Sequence, residues 1–514
     1  MTWRADAPQG NEAAKVQWDI VEYTRGKGLD LGCGPNKAFP HFVGVDSGKD
    51  SELFGLEMTP DVVVPDASDL SQFETHSQDF VFSSHLLEHL EDYAAALKEW
   101  WRVIRPGGHL VLYLPHKDLY PRIGQPGANI DHKHDFEPAD IKAAMYDIPG
   151  WTLIVNEVRA GGDEYSFLQV WQKRHDEKQI NFAMMNDKPR KTACVVRYGG
   201  FGDMLQAAAI LPELKRQGYH VTMMTTPRGR SVIEHDPHVD AFFIQDDNQV
   251  PNHLLMDFWT HQAKRFDKFI NLSESVEGTL LALPGRANHA WPHAIRHKYM
   301  NLNYNEWTAE LAGVPFVPEG KFYPSEDELL DAVALHTEGF DIVFALSGSS
   351  QHKFYPGQDA VIARILLEIP EATVFLTGDE ACQILECGWE NEPRVRLLSG
   401  KQTIRQTLML ASSVHCVIGP ETGVLNAVAF LPEVAKVCLL SHSSAENLTK
   451  HWVNATAIEP VGVDCYPCHR LHYGMAHCRE HLETGAAMCQ LSIDPDRVMT
   501  PILAAYAHWK EGRE

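Results

Sequence analysis

The stretch from Cys194 to Leu214 constrains the fold more than any other. An apolar run, Cys194 to Val196, ends in Arg197, is followed by Gly199-Gly200-Phe201-Gly202-Asp203, and then becomes helix-like from Met204 to Leu214. This is the pattern of a buried strand turning sharply into a helix. Glycines at such a turn permit positive φ and close approach of the backbone, and the helix start offers free N–H groups to an anion. Asp203 stands at that mouth, where it could cap the helix or take the proton of an attacking hydroxyl as a general base.

The rest of the chain reads as α/β alternation. Strand-like runs recur at His220–Thr225, Ala241–Ile244 and Phe266–Leu272. A Pro-rich stretch near Pro315–Pro324 precedes a fresh series at Asp341–Leu346, Ala372–Gly378, Val395–Leu398, Val414–Gly419 and Ala435–Leu440. Two doubly wound lobes facing across a cleft are expected from this order.

Before Cys194 another strand-and-turn unit is readable. Gly28 to Pro35 (Gly-Leu-Asp-Leu-Gly-Cys-Gly-Pro) runs from strand into glycine turn, and Val43-Gly44-Val45-Asp46 is a second strand closed by an acid. In a Rossmann-type unit such a turn lets a cofactor lie on bare backbone while the acid meets ribose hydroxyls. The dinucleotide fingerprint fails, because Asn36 and Lys37 stand where its third glycine would be approached, and NAD is disfavoured.

These residues resemble the class I S-adenosylmethionine-dependent methyltransferases. The resemblance continues through Pro65–Leu70, Phe80–Leu90 and Arg102–Leu110. It implies that Asp30, Gly32 and Gly34 flank the methionine part of the cofactor and that Asp46 holds its ribose. It further implies that Asp66 and Ser68 lie near the adenine and that Ser84 and His85 stand at the cofactor's edge. Candidate bases for the methyl acceptor are His116 and the Asp131–Asp135 cluster, with His132 and His134 favoured. Nothing like the Asp-Pro-Pro-Tyr or Pro-Cys signatures of DNA methyltransferases occurs, so a small molecule or a sugar is the expected acceptor.

The second half, roughly 191–505, resembles GT-B glycosyltransferases of the ADP-heptose:lipopolysaccharide heptosyltransferase family. The resemblance rests on the Gly200–Asp203 turn, on Ser347–Pro356 and on Gly419–Ala427. It implies that Asp203 is the base beside Gly202. Ser349, Ser350 and Lys353 would hold a donor diphosphate, with Glu421, Thr422 and Gly423 in the second phosphate-facing loop. Glu421 and Asn426 replace the family's usual Asp and His, which leaves the identity of the sugar and nucleotide open. With Lys353 and helix dipoles to stabilise the leaving diphosphate, no metal is required there. Asp494-Pro495-Asp496 reads as a helix start.

The expected organisation is therefore a Rossmann-like methyltransferase domain (1–175), a polar linker (176–190), an N-terminal GT-B lobe (191–330) and a nucleotide-sugar lobe (331–514). The last contains a cysteine-rich segment, 465–489. Cys465, Cys468, Cys478 and Cys489 could hold a structural zinc ion, stay metal-free or form reversible disulfides. A formal charge of −24 argues against a broad nucleic-acid surface. With neither a long apolar span nor a signal pattern, a cytoplasmic location is expected. The expectation is a bifunctional transferase using S-adenosylmethionine and a nucleotide-diphosphate sugar. The alternatives are a chain with one catalytically inactive, scaffolding half, or an enzyme that hypermodifies nucleic-acid bases.

Overall fold

The computed structural model describes residues 11–48, 60–175, 180–182, 191–320, 322–333, 335–348 and 350–513. The chain forms two compact units. The first comprises residues 1–189 together with 245–265, and the second 190–244 together with 266–514.

The first unit is built on eight strands: β1 (Gly28–Leu31), β2 (Val43–Asp46), β3 (Val62–Val63), β4 (Gln78–Ser84), β5 (Ile104–Pro115), β6 (Trp151–Arg159), β7 (Ser166–Lys173) and β8 (Ile180–Phe182). Their order is β3-β2-β1-β4-β5-β7-β6-β8. β1 pairs in parallel with β2 and β4, and β7 runs antiparallel between β5 and β6. β1 is buried along its whole length, which is why it reads as an unbroken apolar segment around Asp30. The core collects Leu29, Leu31, Val81, Trp100, Leu112, Trp151 and Trp171. The buried indoles of Trp100 and Trp151 donate to the carbonyls of Ala67 and Met145 at 2.8 and 2.7 Å, so their polar edges are satisfied. The stretch read as a linker lies largely outside the described residues. Its described part is β8, which pairs in parallel with β6.

The second unit holds two parallel sheets. One contains β9 (Thr192–Val196), β10 (His220–Thr225), β11 (Ala241–Ile244) and β12 (Lys268–Asn271), in the order β11-β10-β9-β12. The other contains β13 (Phe340–Ala345), β14 (Ala372–Thr377), β15 (Val395–Leu397), β16 (Cys416–Pro420), β17 (Ala435–Leu439) and β18 (Ala455–Ile458), in the order β15-β14-β13-β16-β17-β18. This second order is the doubly wound 3-2-1-4-5-6 arrangement, whose switch point lies between its first and fourth strands, here β13 and β16.

The helix expected from Met204 to Leu214 is broken in two, Phe201–Ala208 and Leu211–Arg216. Pro212 accounts for the break: it has no N–H to offer Ala208, and its ring would collide with that carbonyl in a continuous helix. Asp494 caps the last helix, Pro495–Glu511, by accepting from the Asp496 amide at 2.9 Å, with Pro495 at the first helical position.

Candidate functional sites

In the first unit Asp30, Gly32 and Gly34 lie at the end of β1, Asp46 closes β2, Ser84 and His85 lie at the end of β4, and Asp66 and Ser68 follow β3. Gly32 and Gly34 both adopt positive φ (68° and 53°), and a side chain at Gly34 would meet nothing within 4 Å, so the backbone there faces open space. Asp46 ties the turn together, accepting from Gly34 N at 3.1 Å and Gly48 N at 3.0 Å. Asp30 is buried beneath and accepts from Ala38 N at 2.8 Å. Burial pushes its carboxyl up to about 7. Asp66 is exposed and forms a turn with the amide of Ser68 at 2.8 Å.

Ser84 and His85 follow at the end of β4. The Ser84 hydroxyl is buried without a hydrogen-bond partner. His85 has positive φ, its Nε2 lies 2.9 Å from Ser166 Oγ, and burial pushes its imidazole down to about 3. His132 is buried, with Nε2 3.8 Å from Glu88 Oε1, and desolvation lowers it to about 4. His134 is turned away from it and bonds through Nε2 to the Leu90 carbonyl at 2.9 Å. Glu88, wholly buried and pushed up to about 8 by burial, has no chemical signature in the sequence beyond its place in the fourth strand's exit turn.

In the second unit the ends of β9, β13 and β16 converge on a cavity of about 510 Å³, lined among others by Asp203, Gly348, Lys353, Thr422 and Gly423. The helix starts after β9 and β16 touch each other. A Cβ on Gly423 would come within 3.1 Å of Gly202 N and 3.2 Å of Phe201 Cβ, close enough that these neighbours would have to give by a few tenths of an ångström. Asp203 has both oxygens engaged, Oδ2 accepting from Gly200 N at 2.8 Å and Oδ1 facing Arg197 Nη2 at 3.0 Å. Arg197 is 2% exposed and also donates to both oxygens of Glu277, at 3.0 and 2.7 Å. One buried guanidinium thus stands between two carboxyl groups. Burial and the neighbouring Asp203 outweigh Arg197 and push Glu277 up to about 7.

On the opposite wall Lys353 is buried and donates to the Glu421 carbonyl at 2.7 Å. Burial pulls its ammonium below the usual value. Glu421 also lines the cavity, and its carboxylate is bonded to the following loop, where Oε1 accepts from Ser441 N at 2.5 Å and Ser443 N at 3.2 Å and Oε2 lies 3.0 Å from His442 Nε2. Burial opposes its ionisation, but His442, Lys353 and the Ser441 amide hold it well below the usual carboxylate range. These bonds tie Glu421 to the 441–443 loop. The Thr422 hydroxyl has no hydrogen-bond partner. Ser350 does not line the cavity, and its hydroxyl bonds to His352 Nδ1 at 2.8 Å. Ser349 lies outside the described residues. Sequence reasoning missed Glu277 and Arg228, both on the cavity wall. Neither belongs to a readable motif, since Glu277 reaches the site from a loop 80 residues beyond Arg197.

Cys465, Cys468, Cys478 and Cys489 are free thiols. Cys468 Sγ lies 3.5 Å from His472 Nε2. Among the described residues, three potential ligand atoms come within 4.8 Å of one another at Glu88, His89 and His132, and not in this cysteine segment. No helix among the described residues is long and apolar enough to cross a membrane.

No curated protein matches the sequence. Among solved structures, E. coli ADP-heptose lps heptosyltransferase II is similar at 15% identity, covering 62% of this chain and 100% of its own, with a TM-score of 0.44. The glycosyl transferase family 9 protein of Veillonella parvula is similar at 14% identity, covering 63% and 99%, also with a TM-score of 0.44. A SAM-dependent methyltransferase from Archaeoglobus fulgidus is similar at 16% identity over 31% of this chain and 92% of its own, with a TM-score of 0.23. Residues 29–112, which span β1 to most of β5, match the methyltransferase domain family, and the first unit accordingly carries a methyltransferase domain.

Proposed function

We propose that the chain is a two-part transferase in which the first unit methylates a small-molecule or glycan acceptor from S-adenosylmethionine. The second unit, on this reading, transfers a sugar from a nucleotide-diphosphate donor. The methyl-transfer half is supported by the family match and by the open backbone at Gly34 beside Asp46. Asp46 would exchange part of its present role in the turn for the cofactor's ribose hydroxyls, and the Gly32–Gly34 backbone would face the methionine portion.

The observation that carries the glycosyl-transfer half is the cavity itself, where Asp203 and Lys353 line one space at the carboxyl ends of the two parallel sheets. Lys353, the Thr422 hydroxyl and the Gly423 amide would meet the diphosphate and stabilise the charge that grows as it leaves. Asp203 would take the proton of the acceptor hydroxyl. Arg197, 3.0 Å from Asp203 Oδ1 and 2.7 Å from Glu277 Oε2, offsets the negative charge of the site.

The test is turnover of nucleotide-diphosphate sugars to free nucleoside diphosphate by the purified chain, with Lys353→Ala measured alongside Asp203→Ala. Lys353→Ala is expected to weaken donor binding more than Asp203→Ala does, because one group meets the ground-state diphosphate and the other the acceptor proton. Equal losses of donor affinity in both variants would contradict these roles.

A further inference from the structure

We propose that Glu88, His89 and His132 form a binding site for one divalent metal ion of the zinc type, and that the ion holds the oxygen atom of the methyl acceptor. The three residues come from two neighbouring segments. Glu88 and His89 lie on the single turn Leu87–His89 that follows β4, and His132 lies in the loop beyond β5. That loop is stitched to the turn by backbone bonds, since the amides of Lys133 and His134 both donate to the Glu88 carbonyl at 2.7 and 3.2 Å. The His134 ring adds a bond to Leu90 O at 2.9 Å, so the chain directly after His132 is anchored to the turn that carries Glu88.

The spacing around the carboxylate suits groups that share one ion. His132 Nε2 and His89 Nε2 lie 3.8 and 4.0 Å from Glu88 Oε1, and His85 Nδ1 also lies 3.8 Å from it. These separations are too long for hydrogen bonds. Two ligands each bound to zinc at about 2.0–2.2 Å in a tetrahedron would sit about 3.4 Å apart, so the two carboxylate–imidazole pairs need a contraction of about half an ångström, and all three ligand atoms already lie within 4.8 Å of one another. The Glu88 side chain is fully buried, and neither of its oxygens receives a hydrogen bond from another residue. Tyr120 packs over the His132 ring at 5.4 Å and fixes its orientation further. A plain salt bridge would bring carboxylate and imidazole into contact, and here they stand apart around a common point. Two imidazoles and one carboxylate suit zinc better than magnesium or calcium, which prefer oxygen, and leave a fourth position for a substrate atom.

The role assigned to the ion rests on the methyltransferase reading; its binding does not. A hydroxyl bound at the fourth position would lose its proton to solvent more readily. Its oxygen would then form the bond to the methyl carbon as the C–S bond of the sulfonium breaks, leaving a neutral thioether and the methyl ether, with the metal's charge unchanged. The acceptor class is thus an alcohol, such as a sugar hydroxyl, or a phenol.

The experiment uses the full-length chain, reduced and freed of metal with a chelator, and titrates it with Zn²⁺ by calorimetry and with Co²⁺ as a spectroscopic probe. A single Co²⁺ ion per chain is expected, giving visible d–d bands without the near-ultraviolet band of thiolate ligation. Glu88→Gln and His132→Ala should each weaken binding by about tenfold to a hundredfold or more, and Cys465→Ser combined with Cys468→Ser should leave it intact. Wild-type protein that binds no Co²⁺ would overturn the proposal without recourse to any variant. A thiolate band that survives Glu88→Gln would place the ion at the cysteines instead and overturn it equally. S-adenosylmethionine affinity of the metal-free chain is measured separately. Loss of that affinity with retained metal binding would count against the methyltransferase reading and leave the metal site standing.

Discussion

Asp203 accepts a backbone N–H on one oxygen and faces Arg197 on the other, and this changes what its substitution reports. From sequence alone Asn should cap the helix about as well as Asp. Here an amide must turn its NH₂ toward either the Gly200 N–H or the Arg197 guanidinium, both of them donors. Asp203→Asn is therefore expected to lower stability by about 1–3 kcal/mol as well as to cut glycosyl turnover by about 10²- to 10⁴-fold. Urea unfolding and assays on the true acceptor separate the two effects, and an Asn variant that is less stable yet fully active would leave Asp203 as a cap. Glu277 supplies the pH dependence. Its carboxyl is raised in the folded chain, so the unfolded chain ionises first as pH rises. Stability from this group is whole below the ordinary glutamate value near 4.5 and is lost as pH rises through about 7. Glu277→Gln should flatten that fall, which urea unfolding at about pH 5 and about pH 8 would show as a smaller difference than in the wild type. Asp203 was legible because it closes a glycine turn. Glu277 was not, because no local pattern marks a residue that folding carries to Arg197 from a loop 80 positions away.

At the scale of elements, the contact between the helix starts at Phe201 and Gly423 sets how far apart the two sides of the cavity stand. Gly423→Ala forces Phe201 and the Gly202 amide to move, at a cost of about 1–3 kcal/mol typical of overpacking. The expected outcome is a modestly lower melting temperature with a larger loss in donor-sugar turnover, and unchanged turnover would show that this spacing does not matter. Most strands were legible because parallel strands covered on both faces read as continuous apolar runs, as β13 and β14 do. β18 escaped, being four residues at a sheet edge with only Ile458 buried. The split of the Met204–Leu214 helix could have been read from Pro212, whose missing N–H outweighs the helical spacing of the apolar residues around it.

At the scale of the whole molecule, the boundary between the units is not a single point in the chain. Residues 245–265, between β11 and β12, belong to the first unit. There the Phe258 ring meets Trp18 at 6.0 Å, His261 Nε2 lies 2.8 Å from Asp19 Oδ1, and Gln249 Nε2 donates to the carbonyls of Val21 and Thr24. Composition marks 176–190 as the break because polar runs look like linkers, and it cannot show a segment that returns after the second unit has begun. A fragment ending at Pro189 should consequently melt at a lower temperature than the same unit does in the intact chain, and equal melting temperatures would show that the returning segment adds nothing.

The proposed two-part transferase has a separate transfer site in each unit, and the two sites bind different donors. Calorimetric titration of the full chain with S-adenosylmethionine and with a nucleoside diphosphate, repeated on Asp46→Ala and Lys353→Ala, tests it most directly. The expected result is crossed: Asp46→Ala loses S-adenosylmethionine and keeps the nucleotide, and Lys353→Ala does the reverse, each loss being about tenfold or more for a charged hydrogen-bonding partner. Loss of both ligands together in either variant, or a wild-type chain that binds neither, would contradict the account.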